Sequence, residues 1–377
     1  MKLSCLQENL KKGLSIASHA VAGKSTLPVL SNVLLATDAG RLKIAATNLE
    51  IGLTCWIGGK IDEEGAVTVP AKLLNDVIGG LPNDRVNLTL DARTQTLNVT
   101  CARFEANIKG IESDEFPVIP TISDRAPSAT FPPALLREAI DQIAFAAATD
   151  DTRPVLTGVL IRMRGNQASF SAADGFRLAQ RTMELPTSVQ DTLELIVPAR
   201  ALQELGRIIG DSDSDVELTV TPNGGQVLFH TNDIDLVSRL IDGKFPDIER
   251  IIPVNYMTRS IMETQDLAKA VKLASYFATA SSNIVRLQMD SGGDLGPGKL
   301  TISANAAEVG DNKGAIDGMV HGEGGQIALN VRFLTEALNA IKTPQVAIET
   351  QTAQNPAVFR PIGTEGYVHI VMPMTMR

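Results

Sequence analysis

The sequence predicts an α+β fold of three similar domains, each with two helices packed on antiparallel sheets. Three observations support this. An apolar pattern of helical period recurs at Leu10, Leu14, Ala17 and Val21, at Leu136, Ile140, Ile143 and Ala147, and at Leu267, Val271, Ala274 and Phe277. A β-rich run follows each of them, beginning at Leu27, Arg153 and Asn283. A helix start also recurs, as Val69-Pro70-Ala71-Lys72-Leu73-Leu74, as Val197-Pro198-Ala199-Arg200-Ala201-Leu202, and more weakly as Leu329-Asn330-Val331-Arg332-Phe333-Leu334. Pro70 and Pro198 lie 128 residues apart, and Phe116 and Phe245 lie 129 apart. Agreement in both order and spacing marks an internal repeat of about 125 residues.

Taken in order, helices are expected over 8–22, 71–81, 134–148, 199–210, 265–278 and 331–342. Proline near the first turn of the second and fourth costs nothing, because its missing N–H is unpaired there anyway. The β-rich runs close in polar turns at Asn48-Leu49-Glu50, Asp174-Gly175-Phe176 and Ala307-Glu308. Alternating strands follow the later helices, such as Val86-Asn87-Leu88-Thr89-Leu90 and Val216-Glu217-Leu218-Thr219-Val220. The domains are expected at 1–123, 130–252 and 253–377, with linkers at 125–133 and 253–258.

With 44% hydrophobic and 20% charged residues, the 377-residue chain can bury an ordinary core in each domain, which excludes global disorder. Its formal charge of −9 argues, taken alone, against a uniformly basic nucleic-acid binder. Sorted by element, the charge says something else. The six helices hold ten basic against seven acidic residues, and the rest holds twenty-four against thirty-six. A helix-lined, mildly basic interior inside an acidic exterior would draw a duplex to one place. Three such domains doubled head to tail give six bodies around a hole. With a radius of gyration of about 14 Å each, the opening is on the order of 25–30 Å, which admits duplex DNA. Cys5, Cys55 and Cys101 form no Cys-x-x-Cys pair, so neither a disulfide framework nor a zinc ribbon is expected. No apolar signal core or membrane-length run occurs in the sequence, and a cytoplasmic location with no membrane partner is expected.

Enzyme signals fail on inspection. Gly23-Lys24-Ser25-Thr26 mimics the end of a phosphate-binding loop, but Ser18 stands where the first glycine belongs. Asp211-Ser212-Asp213-Ser214-Asp215 begins like a calcium loop, yet Val216 replaces the turn glycine and Pro222 the bidentate glutamate. His19, His230, His321 and His369 have no ligand spacing. No catalytic residue, metal or cofactor is therefore expected.

Several motifs together carry a family resemblance: Thr26-Leu27-Pro28-Val29-Leu30, the two Val-Pro-Ala-Lys/Arg helix starts, and Ala173-Asp174-Gly175-Phe176-Arg177-Leu178-Ala179. To these add Asp242-Gly243-Lys244-Phe245-Pro246-Asp247 and the terminal Val371-Met372-Pro373-Met374. In this order, and over essentially the whole chain, they resemble the bacterial β sliding clamps, the processivity subunits of DNA polymerase III. The resemblance implies a non-catalytic homodimer, closed head to tail into a ring around duplex DNA without regard to sequence. It also implies opening by an ATP-driven clamp loader and tethering of replicative and repair polymerases through short linear motifs. An accessory clamp for repair polymerases or a mobile element, or a repeat-built scaffold that never meets DNA, is the alternative.

By the same resemblance, a peptide groove would be lined by Leu156, by Gly175, Phe176, Arg177 and Leu178, and by Pro246, Arg250 and Ile251. Val358, Met372, Pro373 and Met374 would complete it. Met and Pro supply an adaptable socket for a partner's Leu or Phe, with Arg177 and Arg250 at the rim. Ala173 and Phe176 stand where the family usually has polar groups. DNA phosphates would meet Lys24, Lys72, Arg153 and Arg200. Val77, Leu81 and Arg103 of one subunit would face Leu273, Glu308 and Asp311 of the other, although Leu81 and Leu273 also read as core residues.

Overall fold

The structure is a computed structural model that describes residues 1–377 apart from 24–25, 122–125, 211–212, 293–297 and 376–377. Among the described residues six α-helices form: α1 (Gln7–Ser18), α2 (Ala71–Gly80), α3 (Pro133–Ile143), α4 (Ala199–Ile209), α5 (Thr264–Ala278) and α6 (Val331–Ala340). Strands pair antiparallel in three sheets. The α+β class with two helices per domain is therefore the observed one. The chain folds into two compact units, one of Met1–Ala134 with Glu204–Leu240 and one of Leu135–Gln203 with Ile241–Arg377.

In the first unit, α1 buries Leu10, Leu14 and Ala17 along one stripe and leaves Lys11 and Lys12 in water. It packs on α2, whose own stripe is Ala71, Leu74 and Ile78. Two polar ties fix the pair: Gln7 Nε2 donates to the Ile78 carbonyl at 2.7 Å, and Asn75 Nδ2 donates to Ser18 Oγ at 2.6 Å. The helix stops four residues earlier than its apolar period suggests. Ser18 Oγ donates back to the Leu14 carbonyl at 2.6 Å, and the amides of His19 and Ala20 reach only to Ile16 and Ala17. Such side-chain competition and i→i+3 tightening end a helix.

A five-stranded sheet runs in the order Lys60–Glu63, Lys2–Leu6, Arg85–Asp91, Thr96–Cys101, Phe104–Lys109. The last strand is paired on one side only among the described residues. An eight-stranded sheet joins Ile51–Ile57 to Ile234–Arg239, with Ile234 opposite Cys55 and Ser238 opposite Ile51. Its edge corrects the expected linker at 125–133. Arg125 lies outside the described residues, but Ala129–Phe131 is a strand against Val216–Val220, with Ala129 and Phe131 buried and Thr130 between them. Pro133 already belongs to α3.

The second unit is built on a ten-stranded sheet. Its longest hairpin, Gly158–Ala173 with Arg177–Pro198, runs from the pair Gly158/Pro198 to the pair Ala173/Leu178. Arg177 to Arg181 pair in turn with Val371 to Tyr367. The third helix is shorter than the expected 134–148. It ends at Ile143 and gives way to a 3-10 turn over Ala144–Ala146, where the Phe145 carbonyl is taken by Arg177 rather than by a helical amide. In α5, Leu267, Val271, Ala274 and Ala278 are buried, Phe277 is half-buried, and Leu273 and Tyr276 stand 56% and 61% exposed. The strand Gly310–Gly322 pairs with Gly298–Ala306 through its first part, while Thr258–Glu263 reaches it only from Met319 onward. Among the described residues, 310–317 are thus paired on one side only.

All three cysteines are free and buried, and burial pushes the thiols of Cys5 and Cys55 up to about 12, far from thiolate reactivity. Among the described residues no helix is long and apolar enough to cross a membrane.

Candidate peptide groove, DNA-facing residues and subunit edges

The groove residues come together in the second unit. One apolar cluster holds Leu156, Leu178 and Val358 with Phe245, Ile248 and Ile370, all buried. Leu156 arrives from the 3-10 turn Pro154–Thr157, Leu178 from the long hairpin, and Val358 from the strand Ala357–Pro361. Around this floor the lip is exposed: Phe176 at 59%, Ile251 and Met372, together with Gly175, Pro246 and Arg250. Pro373 and Met374 are half-buried. An apolar floor with an exposed aromatic and thioether lip suits an aliphatic or aromatic side chain entering from solvent.

Two backbone hydrogen bonds set the lip. The Met372 amide donates to the Phe176 carbonyl at 2.8 Å, and the Met374 amide donates to the Ala328 carbonyl at 2.8 Å. The 174–176 turn is tight, with Gly175 at φ +92°, a left-handed position that favours glycine. Asp174 Oδ1 closes it by accepting from the amides of Phe176 (2.8 Å) and Arg177 (3.0 Å).

Arg177 differs from the expected rim contact. Its residue surface is 7% exposed and its guanidinium points inward. Nε donates to Asp174 Oδ2 at 3.0 Å, Nη2 donates to the Phe145 carbonyl at 2.6 Å, and Nη1 donates to Glu336 Oε2. The Phe333 and Phe145 rings flank the guanidinium carbon at 4.7 and 5.4 Å. A buried cation needs such complete neutralisation, so Arg177 is built into the wall instead of facing a partner. Arg250 does face water, and Nε pairs with Asp247 at 2.9 Å. Glu336, Phe145 and Phe333 belong to the site but escape the sequence reading. Only Asp174, three residues before Arg177 in an Asp-Gly turn, leaves a local signal.

Below the wall His369 is fully buried, stacked on Phe145 with ring centroids 5.6 Å apart. Tyr367 Oη donates to the Gln142 carbonyl at 3.1 Å, and burial raises its phenol well above the ordinary value.

The residues expected to meet DNA are scattered over different elements. Lys72 is exposed in the first turn of α2, and Arg200 is exposed in the first turn of α4. Arg153 is exposed too, but its Nη2 donates to the Asp174 carbonyl at 2.8 Å and so supports the groove turn. Lys24 lies outside the described residues. Of the subunit-contact set, Val77 and Leu81 are half-buried, whereas Arg103, Leu273, Glu308 and Asp311 are exposed. Leu273 is therefore no core residue.

Comparison with known proteins agrees in every part of the chain. Family models of the DNA polymerase III beta subunit match residues 1–120 (N-terminal domain), 130–247 (central domain) and 249–375 (C-terminal domain). The beta sliding clamp of Synechocystis sp. is 32% identical over 398 residues, and that of Synechococcus elongatus is 33% identical over 380, each alignment covering both chains completely. The crystal structure of the DNA polymerase III subunit beta from Pseudomonas aeruginosa superposes over the full length of both chains with a TM-score of 0.89 at 29% identity. Fold and matches together define a sliding clamp, a non-catalytic processivity factor of replication. The chain belongs to the DNA polymerase III beta subunit family.

Proposed function

We propose that two copies of this clamp close head to tail into a ring around duplex DNA and tether polymerases through the groove described above. The domains are taken as 1–123, 130–252 and 253–377, acting in the cytoplasm. The observation that carries closure is the pair of one-sided strands, Phe104–Lys109 and residues 310–317. An unpaired edge invites another strand, and two such edges on one chain invite a second copy. Exposed Leu273 lies on α5 in the same unit as the second edge, and exposed Arg103 directly precedes the first. Pairing of Val77, Leu81 and Arg103 with Leu273, Glu308 and Asp311 of the second copy joins an apolar centre to an opposite-charge rim. Lys72 and Arg200 meet phosphates without reading bases, and the −9 net charge keeps the ring from binding DNA tightly and statically.

Topology tests the ring. Loaded onto nicked circular plasmid by a clamp loader with ATP, the protein stays on the circle and leaves once the plasmid is cut. Equal retention on circular and linear DNA excludes encirclement. The groove has its own test. Replacing both Met372 and Met374 with Ala removes apolar lip surface worth about 1–2 kcal/mol, so a clamp-binding peptide should bind roughly tenfold more weakly while the dimer persists. Unchanged peptide affinity by fluorescence anisotropy rules against this assignment.

A further inference from the structure

The groove lip hangs on α6, which reaches the wall through Glu336 and Phe333 and supplies none of the lip residues. Glu336 sits on α6, 159 residues away from Arg177 in sequence, and its two oxygens divide between two cations. Oε2 accepts from Arg177, and Oε1 accepts from Arg332 Nε at 3.2 Å, an exposed i,i+4 neighbour. From Arg177 the connection continues to Asp174 Oδ2, and the same carboxylate's Oδ1 holds the amides of Phe176 and Arg177 in the turn. The Phe176 carbonyl then fixes Met372. The strand just before α6, Gly325–Asn330, supplies the Ala328 carbonyl that fixes Met374. One short stretch, 328–336, therefore anchors both sides of the lip.

We propose that Glu336 is a positioning residue for peptide binding, acting through Arg177 to hold the 174–176 turn and its lip in the binding-competent shape. This rests on the groove reading above. A buried guanidinium that loses one of its two carboxylates is left partly uncompensated and less firmly held, with only the other carboxylate to place it. Here the other is Asp174, the group that closes the turn. Neutralising Glu336 thus loosens the lip without removing any atom that a peptide touches, and the loss of affinity comes from order that must be restored on binding.

The test uses the full-length protein and a fluorescent short peptide ending in Leu-Phe. Glu336→Gln is expected to weaken binding about tenfold, and Glu336→Asp to recover most of the loss. Amide hydrogen exchange, read without peptide, should accelerate in Glu336→Gln at residues 174–177 and 372–374 and stay unchanged in α1 and α5. Wild-type affinity in Glu336→Gln, failure of Asp to rescue, or uniform acceleration along the chain overturns the proposal. If wild-type protein does not bind the peptide at all, the groove reading fails and this inference falls with it. If wild-type binds and the Gln variant matches it, only the inference fails.

Discussion

Arg177→Ala should cost the second unit about 3–5 kcal/mol, the range found when one partner of a buried ion pair is removed, and should abolish peptide binding. The reason lies in what the substitution leaves behind. Asp174 loses its ion-pair partner in the wall, Glu336 is left with only the exposed Arg332, and the Phe145 carbonyl loses its donor. Between the Phe145 and Phe333 rings a void replaces the guanidinium. Thermal unfolding should show one transition move down by roughly 10 °C. Arg177→Lys keeps the charge but cannot serve three acceptors from one planar fork, so it should fall between the two. A melting curve for Arg177→Ala that overlays wild type contradicts the assignment of this cation to the wall.

A second large effect concerns acid. His369 is fully buried, and burial first, with the nearby positive charge of Arg177 second, pushes its imidazole from the ordinary 6.5 down to about 3. The folded protein therefore declines a proton that the unfolded chain accepts below pH 6.5. Stability is intact above that pH and falls as pH drops toward 3, at about 1.4 kcal/mol per pH unit from this group. By pH 5 the loss amounts to about 2 kcal/mol. His369→Phe keeps the ring stacked on Phe145 and deletes the titration. Denaturant unfolding from pH 7 to pH 4.5 should show the variant gaining on wild type by that slope. Parallel pH profiles for the two proteins refute the prediction.

The repeats were legible because each restarts the same change of period, from 3.6 in the helix to 2 in the strands, at matching distances. Leu10, Leu14, Ala17, Leu267, Val271 and Ala274 all lie on buried faces, as their spacing requires. The apolar floor came from the family resemblance rather than from periodicity or spacing, and the three residues it named, Leu156, Leu178 and Val358, share one buried cluster. What escaped has a common physical cause. The pairing of Arg177 with Glu336 joins residues 159 apart, and no periodicity encodes a single long-range ion pair. The strand Ala129–Phe131 is too short for its alternation to stand out among prolines, and only its partner Val216–Val220 makes it a strand. The early ends of α1 and α3 depend on one hydroxyl and one diverted carbonyl, Ser18 Oγ and Phe145 O.

The sheets do not respect the repeats. Ile234–Arg239, from the middle repeat, completes the sheet of Ile51–Ile57 in the first, while Arg177 to Arg181, also from the middle repeat, pair with the last strand of the third. Excising the central repeat would bare two interior strands at once, including the apolar Ile51-Gly52-Leu53, and such edges aggregate. Deletion or reordering of a repeat is therefore constrained: a chain cut at the apparent repeat joints carries raw seams, and a repeat exchanged from a relative has to bring strands that fit both neighbouring sheets.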